Sequence, residues 1–441
     1  MEEKVTYRRT LTLFQVVAFG LAWMSPMIYF TVYGIAYEGS SGWMTSSYTV
    51  AAAAILLTAL SYIVMSKRFS SSASAYTYVK KAIHPYAGFL VGWVVLLEYI
   101  FSPVIACLTF GLYMHAQFPA VPASVWIIGI NLIFAIVNII GIKFSAGLSK
   151  IFVVVQILFI ALFCAFLIKG LAANAAAIAV QPLLPHGEWG ISAILTGASI
   201  VCFSFLGFDT VTTLADETIN AHKTIPRAIM LIVLIAAVMY IVVSVLTKLV
   251  FPSLSFTNGD AAGFELMRLV GGAGLQSLFI SVLIMAVFTQ GVIAVTSASR
   301  LLHVMGNDST LPRRFFGKLH SKYKTPVNSI AAVCVVSMLA LVLSLETAIK
   351  FVSLGALTAF VFVNGSVVVQ MYVKEKRRSF SQTIVYLIIP LTGACFVGWL
   401  LTLLDRTALI MGACWLMVGI LYHLYRTKPA LAAIMQKRQL D

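Results

Sequence analysis

The sequence predicts an all-α integral membrane protein with twelve transmembrane helices. Of its 441 residues, 61% are hydrophobic and only 10% are charged, whereas a soluble domain carries roughly 25% charged residues. The apolar residues fall in blocks of about 20, the length that crosses a hydrocarbon core about 30 Å thick. Because barrel strands are shorter and alternate apolar with polar residues, these continuous blocks indicate helices.

The predicted spans follow one another with short connections, and we number them 1 to 12 in chain order. They cover residues 11–36, 43–66, 85–115, 121–141, 149–170, 191–215, 227–251, 274–303, 326–345, 347–372, 383–404 and 407–427.

The positive charge of the chain is placed on one side of these spans. The formal net charge is +15, and 25 of the 30 Lys and Arg residues fall in the N-terminal tail, the even-to-odd loops and the C-terminal tail. Basic residues stay on the cytoplasmic side of membranes, so we expect both termini to be cytoplasmic. The charge then indicates orientation and contact with anionic lipid, and it does not indicate a nucleic-acid partner.

Two predicted spans contain a helix break. Span 1 contains GLAWMSPMIYF (Gly20–Phe30) with Pro26 near its centre, and span 6 contains SFLGFD (Ser204–Asp209) with Gly207 near its centre. Proline removes a backbone donor and glycine favours departure from a helix. Backbone can unwind at membrane depth only where protein or a water-filled cavity satisfies it. Ordinary helix kinks are the alternative interpretation.

The spacing of the two breaks predicts an inverted repeat. Spans 1 and 6 are corresponding members of two five-span halves, and an odd number of spans inverts the second half relative to the first. This pattern is typical of secondary transporters that bind substrate at the bilayer midplane. We predict a single transmembrane transporter domain over 1–441, with repeats at 11–170 and 191–372 and two additional helices at 383–427.

Three segments on the basic side carry a resemblance to a known family. They are RFSSSASAYTYVKKAIHPYAGFLVGW (Arg68–Trp93), GFDTVTTLADETINAHKTIPRAI (Gly207–Ile229) and ASRLLHVMGNDSTLPRRFFGKLHSKYKTPVNSI (Ala298–Ile330). The chain resembles the amino acid–polyamine–organocation (APC) transporters, and within them the bacterial putrescine importers. The resemblance implies a LeuT-like five-plus-five inverted repeat, alternating access and a bacterial inner membrane location.

Only two of the 15 acidic residues lie deep within spans, namely Glu98 and Asp209. Glu98 lies about 18 Å along span 3 from its basic end, and no Lys, Arg or His lies at similar depth. An unpaired charge there costs at least about 2.5–3.5 kcal/mol on insertion scales. The carbonyl ends of the broken helices, near Ala22–Met24 and Cys202–Phe205, add partial negative charge. The sequence therefore predicts a cavity for ammonium groups.

Each carboxylate also has a simpler interpretation. Asp209 can cap the second half of span 6, because an Asp is expected at a helix start. Glu98 can be a neutral acid bonded to a neighbouring carbonyl. Neither role excludes substrate binding.

Aromatic residues surround the two acids, and a cation over an aromatic face gains roughly 0.5–2 kcal/mol. Packing is the alternative role. The nearby rings are Trp23, Tyr29, Tyr99, Phe101, Phe205 and Phe208, of which Trp23, Tyr99 and Phe208 are the leading candidates for substrate contact. The predicted substrate-binding set is Glu98, Asp209, Trp23, Met24, Ser25, Tyr99, Phe205 and Phe208.

The break in span 1 bears on the substrate. Amino acid carriers of the resembled family have a Gly-Ser-Gly turn there, whose N–H groups hold the substrate carboxylate. This chain has WMSPM (Trp23–Met27), in which Pro26 donates no N–H. The sequence therefore favours a polyamine, and putrescine in particular, with Glu98 and Asp209 each binding one ammonium group.

Energy coupling and gating are predicted from fewer residues. Some proton-coupled relatives carry a Lys in span 5 where this chain has Gln156. We expect proton-coupled symport with Glu98 or Asp209 carrying the proton, and sodium at Ser297 and Ser299 is the alternative. The predicted cytoplasmic gate comprises Arg8, Asp216 and Glu217, in which an acid pairs with Arg8, Arg9 or Arg227. A solvated loop is the alternative for the acids.

Other function classes have less support in the sequence. A carrier of amino acids, including cationic ones, is the first alternative, followed by an inorganic cation carrier and by a nutrient sensor that binds without net transport. The six cysteines lack metal-ligand spacing and no phosphate-binding glycine loop is present, so we expect no metal and no cofactor. We also expect no enzymatic activity, because no nucleophile, base and oxyanion set is visible.

Overall fold

The computed structural model describes residues 9, 11–69, 75–140, 143–173, 188–257, 259–308, 310–320, 323, 325–404 and 406–438. Within them, eleven helices are long and apolar enough to cross a membrane, and a twelfth, Val327–Leu341, is shorter. The all-α membrane fold with twelve spans is confirmed. Two short helices, Ala75–Ala82 and Arg313–Phe316, connect spans on the basic side.

The helices follow the predicted spans closely, and we keep the numbers 1 to 12 for them. Span 1 is Leu13–Met24, Ile28–Thr31 and Tyr33–Gly39; spans 2 to 5 are Met44–Arg68, Pro85–Gln117, Ala123–Ile140 and Lys143–Ala173; span 6 is Glu188–Val201, Cys202–Phe205 and Thr210–Glu217; spans 7 to 12 are Ala221–Val250, Ala262–Asn307, Val327–Leu341, Leu345–Lys374, Phe380–Thr402 and Arg406–Arg438.

Span 8 begins earlier than predicted because a second helix precedes it. The helix Ala262–Asn307 contains non-helical backbone at Gly271 and Gly272, with φ of 66° at Gly272. The part after this kink is the span that the sequence predicts from residue 274. The part before it is an additional helix, whose tight connection to the span is made possible by the two glycines.

The predicted breaks in spans 1 and 6 are confirmed. In span 1 the helix ends at Met24 and resumes at Ile28, and Ser25 has a φ of 52°. In span 6 a 3₁₀ turn ends at Phe205, and Gly207 has a φ of 107°. Proline after Ser25 and glycine at 207 are the residues that stop a helix most readily.

The two broken spans pack against each other in opposite directions. The segment Tyr33–Gly39 of span 1 packs on Glu188–Val201 of span 6, and Leu13–Met24 packs on Thr210–Glu217. The breaks therefore lie side by side. A side chain at Gly207 would overlap the indole ring of Trp23, so the absence of a Cβ lets the two breaks approach.

Span 10 lies directly on span 3 beside the breaks. A Cβ built on Gly355 would lie 2.9 Å from the backbone nitrogen of Glu98 and 3.0 Å from the carbonyl oxygen of Val94. Glycine at 355 therefore lets the two helix backbones approach closely at the level of Glu98. This contact fixes the position of the helix that carries one of the two deep acids.

Spans 11 and 12 lie at the periphery of the bundle. Only 22% and 17% of their apolar windows are buried, against 83% for span 3. Span 12 is held to span 3 by Trp93 and Trp415, whose indole N–H groups each donate to the other residue's backbone carbonyl at 2.8 Å. Their peripheral position agrees with the prediction that they are additions to an inverted repeat, although the repeat boundaries themselves stay a prediction.

The break in span 6 generates a stability prediction. We expect Gly207→Ala to lower the melting temperature of the purified protein by several degrees, because the methyl group would overlap Trp23 and would enforce a strained positive φ worth about 1–3 kcal/mol. Gly365→Ala in span 10 is the matched control, because no atom lies within 4 Å of its added Cβ. Equal melting temperatures for the two variants would show that the break tolerates a side chain.

Candidate substrate site

The two deep acids of the sequence meet beside the breaks. Glu98 in span 3 is 1% exposed and Asp209 at the break of span 6 is 5% exposed. Their carboxyl groups lie close enough to interact electrostatically. No salt bridge to either acid is formed by the described residues. Two anionic groups therefore share one buried region that contains no opposing charge from the described protein.

Most oxygen atoms of these carboxyl groups lack a hydrogen-bond partner. Within the described part of the chain, both carboxyl oxygens of Glu98 and Oδ1 of Asp209 have none. Oδ2 of Asp209 accepts only a long hydrogen bond of 3.5 Å from the Tyr62 hydroxyl. Buried polar groups are hydrogen-bonded in the great majority of cases, so this concentration of unsatisfied oxygens indicates that a ligand, a proton or water completes the site.

The simpler roles considered for the two acids do not account for this geometry. The Asp209 side chain makes no capping hydrogen bond to the helical turn that follows it, although the backbone N–H groups of Gly207 and Thr210 lie near its carboxylate. The side chain of Glu98 bonds to no neighbouring carbonyl among the described residues. Three of the four carboxyl oxygens therefore remain without a hydrogen-bond partner among the described residues.

Aromatic rings enclose the acids. Trp23 and Tyr99 pack edge to face with ring centroids 5.6 Å apart, and Phe208 packs against Tyr62 at 5.4 Å. The Tyr99 and Tyr62 rings lie within electrostatic range of both carboxyl groups. Negative ring faces together with carboxylates favour a bound cation. Glu98, Asp209, Trp23, Tyr99 and Phe208 are therefore brought together, as the sequence predicts.

The break in span 1 connects to span 5. The Ser25 hydroxyl donates to Oε1 of Gln156 at 3.2 Å, and the Nε2 of Gln156 has no hydrogen-bond partner among the described residues. Met24 is buried beside Ser25. Gln156 is also fully buried, so a neutral amide reaches the side chain of Ser25 in the break of span 1. It supplies no positive charge to the site.

Phe205 belongs to a separate group of rings on the other side of the break. It packs against Tyr240 at 5.4 Å and Tyr48 at 6.4 Å, and Tyr29 stacks on Tyr48 at 5.5 Å. We call Tyr29, Tyr48, Phe205 and Tyr240 the tyrosine cluster. The Tyr48 hydroxyl lies 3.2 Å from the hydroxyl of Ser204. The Tyr240 hydroxyl donates to the backbone carbonyl oxygen of Ser204 at 3.1 Å. The cluster therefore holds the end of the first half of span 6.

Two groups of buried rings flank the breaks. The tyrosine cluster lies at the second half of span 1 and at the end of the first half of span 6, and Phe208, Tyr62 and Phe360 pack together beside Asp209. All of these rings are buried to within 1% of full burial. Buried aromatic packing therefore lies on both sides of the break in span 6.

The predicted gate is corrected in one respect. Arg8 and the side chain of Asp216 lie outside the described residues. Glu217 pairs with Arg300 of span 8 at 3.5 Å, whereas the sequence suggested Arg8, Arg9 or Arg227 as its partner. Arg300 was missed because it lies 83 residues away in a different span. Only the folded arrangement of spans 6 and 8 brings the two together.

A backbone contact also closes this end of the bundle. The N–H of Leu11 donates to the carbonyl of Glu217 at 2.9 Å, and the N–H of Ile219 donates to the carbonyl of Leu11 at 2.9 Å. Together they form a short parallel bridge between Leu11 and Thr218. The start of span 1 and the end of span 6 are thus joined by main-chain hydrogen bonds, which have no side-chain signature in the sequence.

The sequence interpretation did not identify several rings near the breaks, namely Tyr62, Tyr48, Tyr240 and Phe360. Phe101, which it did name, packs against Phe351 between spans 3 and 10 with centroids 4.7 Å apart. Tyr62, in TALSYIVMS, lies six residues before the end of span 2 at Arg68. Tyrosines are common near the ends of membrane helices, so nothing in the sequence distinguished it from an ordinary interfacial tyrosine.

One of the two alternative sodium residues, Ser299, has a local hydrogen-bond partner. The hydroxyl of Ser299 donates to the carbonyl oxygen of Thr296 at 2.9 Å, and Thr296 in turn donates to Oδ1 of Asn138 in span 4. Among the described residues, no three His, Cys, Asp or Glu side chains are grouped to hold a metal ion. The acids near the breaks thus carry the clearest chemistry in the described part of the chain.

Comparison with known proteins identifies the family. The family model for amino acid permeases matches residues 14–422. The chain belongs to the amino acid permease family. It is 36% identical over 429 residues to the low-affinity putrescine importer PlaP of Escherichia coli (strain K12), covering 96% of this chain and 95% of that relative. It is therefore a multi-pass membrane protein of the APC superfamily, as the sequence motifs suggested.

Further similarities are more distant. The chain is 25% identical over 449 residues to the branched-chain amino acid permease BcaP of Bacillus subtilis (strain 168), covering 96% of this chain and 94% of that one. Its structure resembles the substrate-bound, outward-open state of a Na⁺-coupled sialic acid symporter, with a TM-score of 0.53, 15% identity and coverage of 89% and 90%. That likeness shows the shared fold alone.

The unsatisfied acid of span 6 generates a second prediction. At pH 8 and without added amine, we expect Asp209→Asn to melt at a higher temperature than the parent protein, because the isosteric amide avoids burying an unpaired charge, which costs about 2.5–3.5 kcal/mol on insertion scales. Asp308→Asn is the control, since that carboxylate already accepts hydrogen bonds from Lys80 and Tyr76, and we expect a small fall. A lower melting temperature for Asp209→Asn would mean that its carboxylate is stabilised without a ligand.

Proposed function

We propose that the protein imports a diamine, with putrescine as the main substrate, by alternating access across a bacterial inner membrane. The observation that carries the proposal is the pair of buried carboxyl groups, Glu98 and Asp209, which share an aromatic cavity and lack hydrogen-bond partners on three of their four oxygens. The 36% identity to a putrescine importer supports the same substrate class.

Charge balance favours a doubly positive substrate. Two carboxylates in a buried cavity repel each other, and an unpaired buried charge costs several kcal/mol. A diamine supplies one ammonium group for each acid, and Trp23, Tyr99 and Tyr62 offer ring faces along the connecting carbons. We infer that Asp209 binds one ammonium group beside the break of span 6 and that Glu98 binds the other from span 3.

The break in span 1 argues against a substrate carboxylate. The N–H of Ser25 is already donated to the carbonyl of Leu21 at 2.9 Å, and Pro26 has no N–H. A carboxylate at this position would also lie near two anionic groups. The second candidate function, amino acid transport, is favoured by the relatives that carry amino acid permease names, and it would require a carboxylate site other than this break.

Proton coupling and orientation are parts of the same proposal. Gln156 is neutral and buried, so the titratable groups nearest the breaks are Glu98 and Asp209, and either can carry a proton. The concentration of Lys and Arg on one side supports cytoplasmic termini. In this orientation, closure of the inner end involves the Leu11–Thr218 bridge and the Glu217–Arg300 pair, and the tyrosine cluster lies towards the outside.

The roles of the two acids lead to a transport prediction. In proteoliposomes, we expect Glu98→Gln and Asp209→Asn each to reduce uptake of labelled putrescine by roughly tenfold or more, because each variant loses a charge-assisted hydrogen bond worth about 1.5–3 kcal/mol. Glu346→Gln is the matched control, since this exposed acid pairs with Lys350 one helical turn away, and uptake should be retained. Retained uptake in both deep-acid variants, at equal protein content, would remove these residues from the binding site.

Substrate class and coupling can be separated in the same vesicles. We expect unlabelled putrescine to compete with labelled putrescine at least tenfold more strongly than lysine or arginine does, because only the amino acids bring a carboxylate towards the two acids.

An acidic solution outside the vesicles should stimulate putrescine uptake, and replacing sodium with choline should not change the uptake. Stronger competition by lysine than by putrescine would favour an amino acid carrier. Uptake of rubidium would favour an inorganic cation carrier, and putrescine binding without accumulation would favour a sensor.

A further inference from the structure

A groove at the basic end of the bundle is separate from the substrate cavity. It has a volume of about 490 Å³ and lies between spans 2, 10 and 11, with His222 at the start of span 7 on its rim. Its wall on span 2 is formed by Leu60, Ile63 and Val64, and Lys67 follows on the same face. The spacing of these four positions, i, i+3, i+4 and i+7, places them along one stripe of a helix.

The groove is apolar at depth and cationic at its mouth. Met371 of span 10 and Ile389 of span 11 complete the apolar wall, and Lys67, Arg68 and Arg377 provide positive charge. The groove continues onto a lipid-facing surface, because the neighbouring residues Ile384 and Ile388 of span 11 are 36% and 52% exposed. An occupant therefore has an apolar part that lies at membrane depth and an anionic part at the membrane surface.

One acidic residue pairs with two of the three cations. Glu375 accepts from Arg68 at 2.6 Å and from Arg377 at 3.1 Å. Hydrogen bonds from Gln370 and Arg68 hold the pKa of Glu375 below its usual range, so it is a carboxylate at neutral pH. A single carboxylate shared by two arginines leaves a net positive charge at the mouth, to which Lys67 adds.

The helices that form the groove depart from regular α-helix on both sides. Span 10 ends in a π-helical segment, Val368–Lys374, and span 11 contains a second one, Ile384–Ile388. The two segments pack against each other, and they contribute Met371, Val385 and Tyr386 to the wall. Because π-helical turns are rare and occur frequently at functional sites, two of them at one groove are an independent sign of a binding site.

From this arrangement we propose that the groove binds one anionic phospholipid, with its phosphate at Lys67 and Arg377 and the first part of an acyl chain against Leu60, Ile63 and Ile389. Basic residues between transmembrane helices attract anionic head groups, and the apolar stripe on span 2 has the direction of an acyl chain. A soluble phosphate would pair with the cations at the mouth, but it would leave the apolar stripe on span 2 without a contact. The proposal does not depend on the transported substrate.

The bound lipid would tie together helices that also build the substrate cavity. Lys67 lies five residues after Tyr62, about 7.5 Å along span 2, and the Tyr62 hydroxyl faces Asp209. On span 10, Phe360 packs against both Tyr62 and Phe208. The phospholipid would therefore clamp span 2 to spans 10 and 11 at the level where the cavity is closed.

The experiment measures lipid binding without transport. The full-length protein is purified in mild detergent and its melting temperature is followed during titration with phosphatidylglycerol, phosphatidylcholine or glycerol phosphate. We expect phosphatidylglycerol to raise the melting temperature by about 2 °C or more beyond phosphatidylcholine, and glycerol phosphate to have no effect. An equal rise in melting temperature with glycerol phosphate would overturn the proposal of a bound lipid and would indicate a soluble anion instead.

Variants locate the effect in the groove. Lys67→Gln combined with Arg377→Gln should abolish the extra rise with phosphatidylglycerol, and Ile63→Trp, which fills the apolar wall, should abolish it as well. The matched control is Arg313→Gln with Arg314→Gln, which removes the same charge from an exposed connecting helix on the same side and should keep the full rise. Equal rises in melting temperature for the groove and control variants would overturn the proposed site. If a variant melts too low for this measurement, native mass spectrometry provides the same comparison by counting the phosphatidylglycerol molecules bound to each protein molecule.

Discussion

The structure is organised by the need to keep two carboxyl groups buried without a counter-charge from the protein. Glu98 and Asp209 are almost fully enclosed, and three of their four oxygens lack a hydrogen-bond partner in the described residues. Burying such groups is tolerated only when a positively charged or proton-bearing partner completes them. The unwound backbone of spans 1 and 6, the close approach at Gly355 and the surrounding rings together bring these acids into one buried region.

Glycine and proline determine how closely the elements around the acids approach. Gly207 allows the break of span 6 to lie on the Trp23 ring, and Gly355 allows span 10 to reach the backbone at Glu98. Pro26 ends the first half of span 1 and removes an N–H that a carboxylate ligand would need. In the proposed site, the proline that interrupts span 1 therefore also removes a donor that an acidic ligand could use.

The sequence predicted these features because they depend on local chemistry. Hydrophobic length fixes the spans, and Pro26 and Gly207 interrupt helices whatever surrounds them. The two acids were identifiable because charge is so rare at membrane depth. Contacts between distant segments were not predictable in this way: Tyr62 faces Asp209 across 147 residues, and Glu217 meets Arg300 across 83. The π-helical segments of spans 10 and 11 likewise contain no residue type that predicts a π-helix.

The rings beside the breaks join them to other spans. The tyrosine cluster is tied to Ser204 by hydroxyl contacts, so it is joined to the end of the first half of span 6. On the other side, Tyr62 contacts Asp209 directly, so a ligand bound to that carboxylate acts on the ring that packs against Phe208 and Phe360. A cation that neutralises Asp209 would therefore change its contact with Tyr62. Because Lys67 follows Tyr62 by five residues in span 2, the basic groove lies only about 7.5 Å along the same helix from this contact.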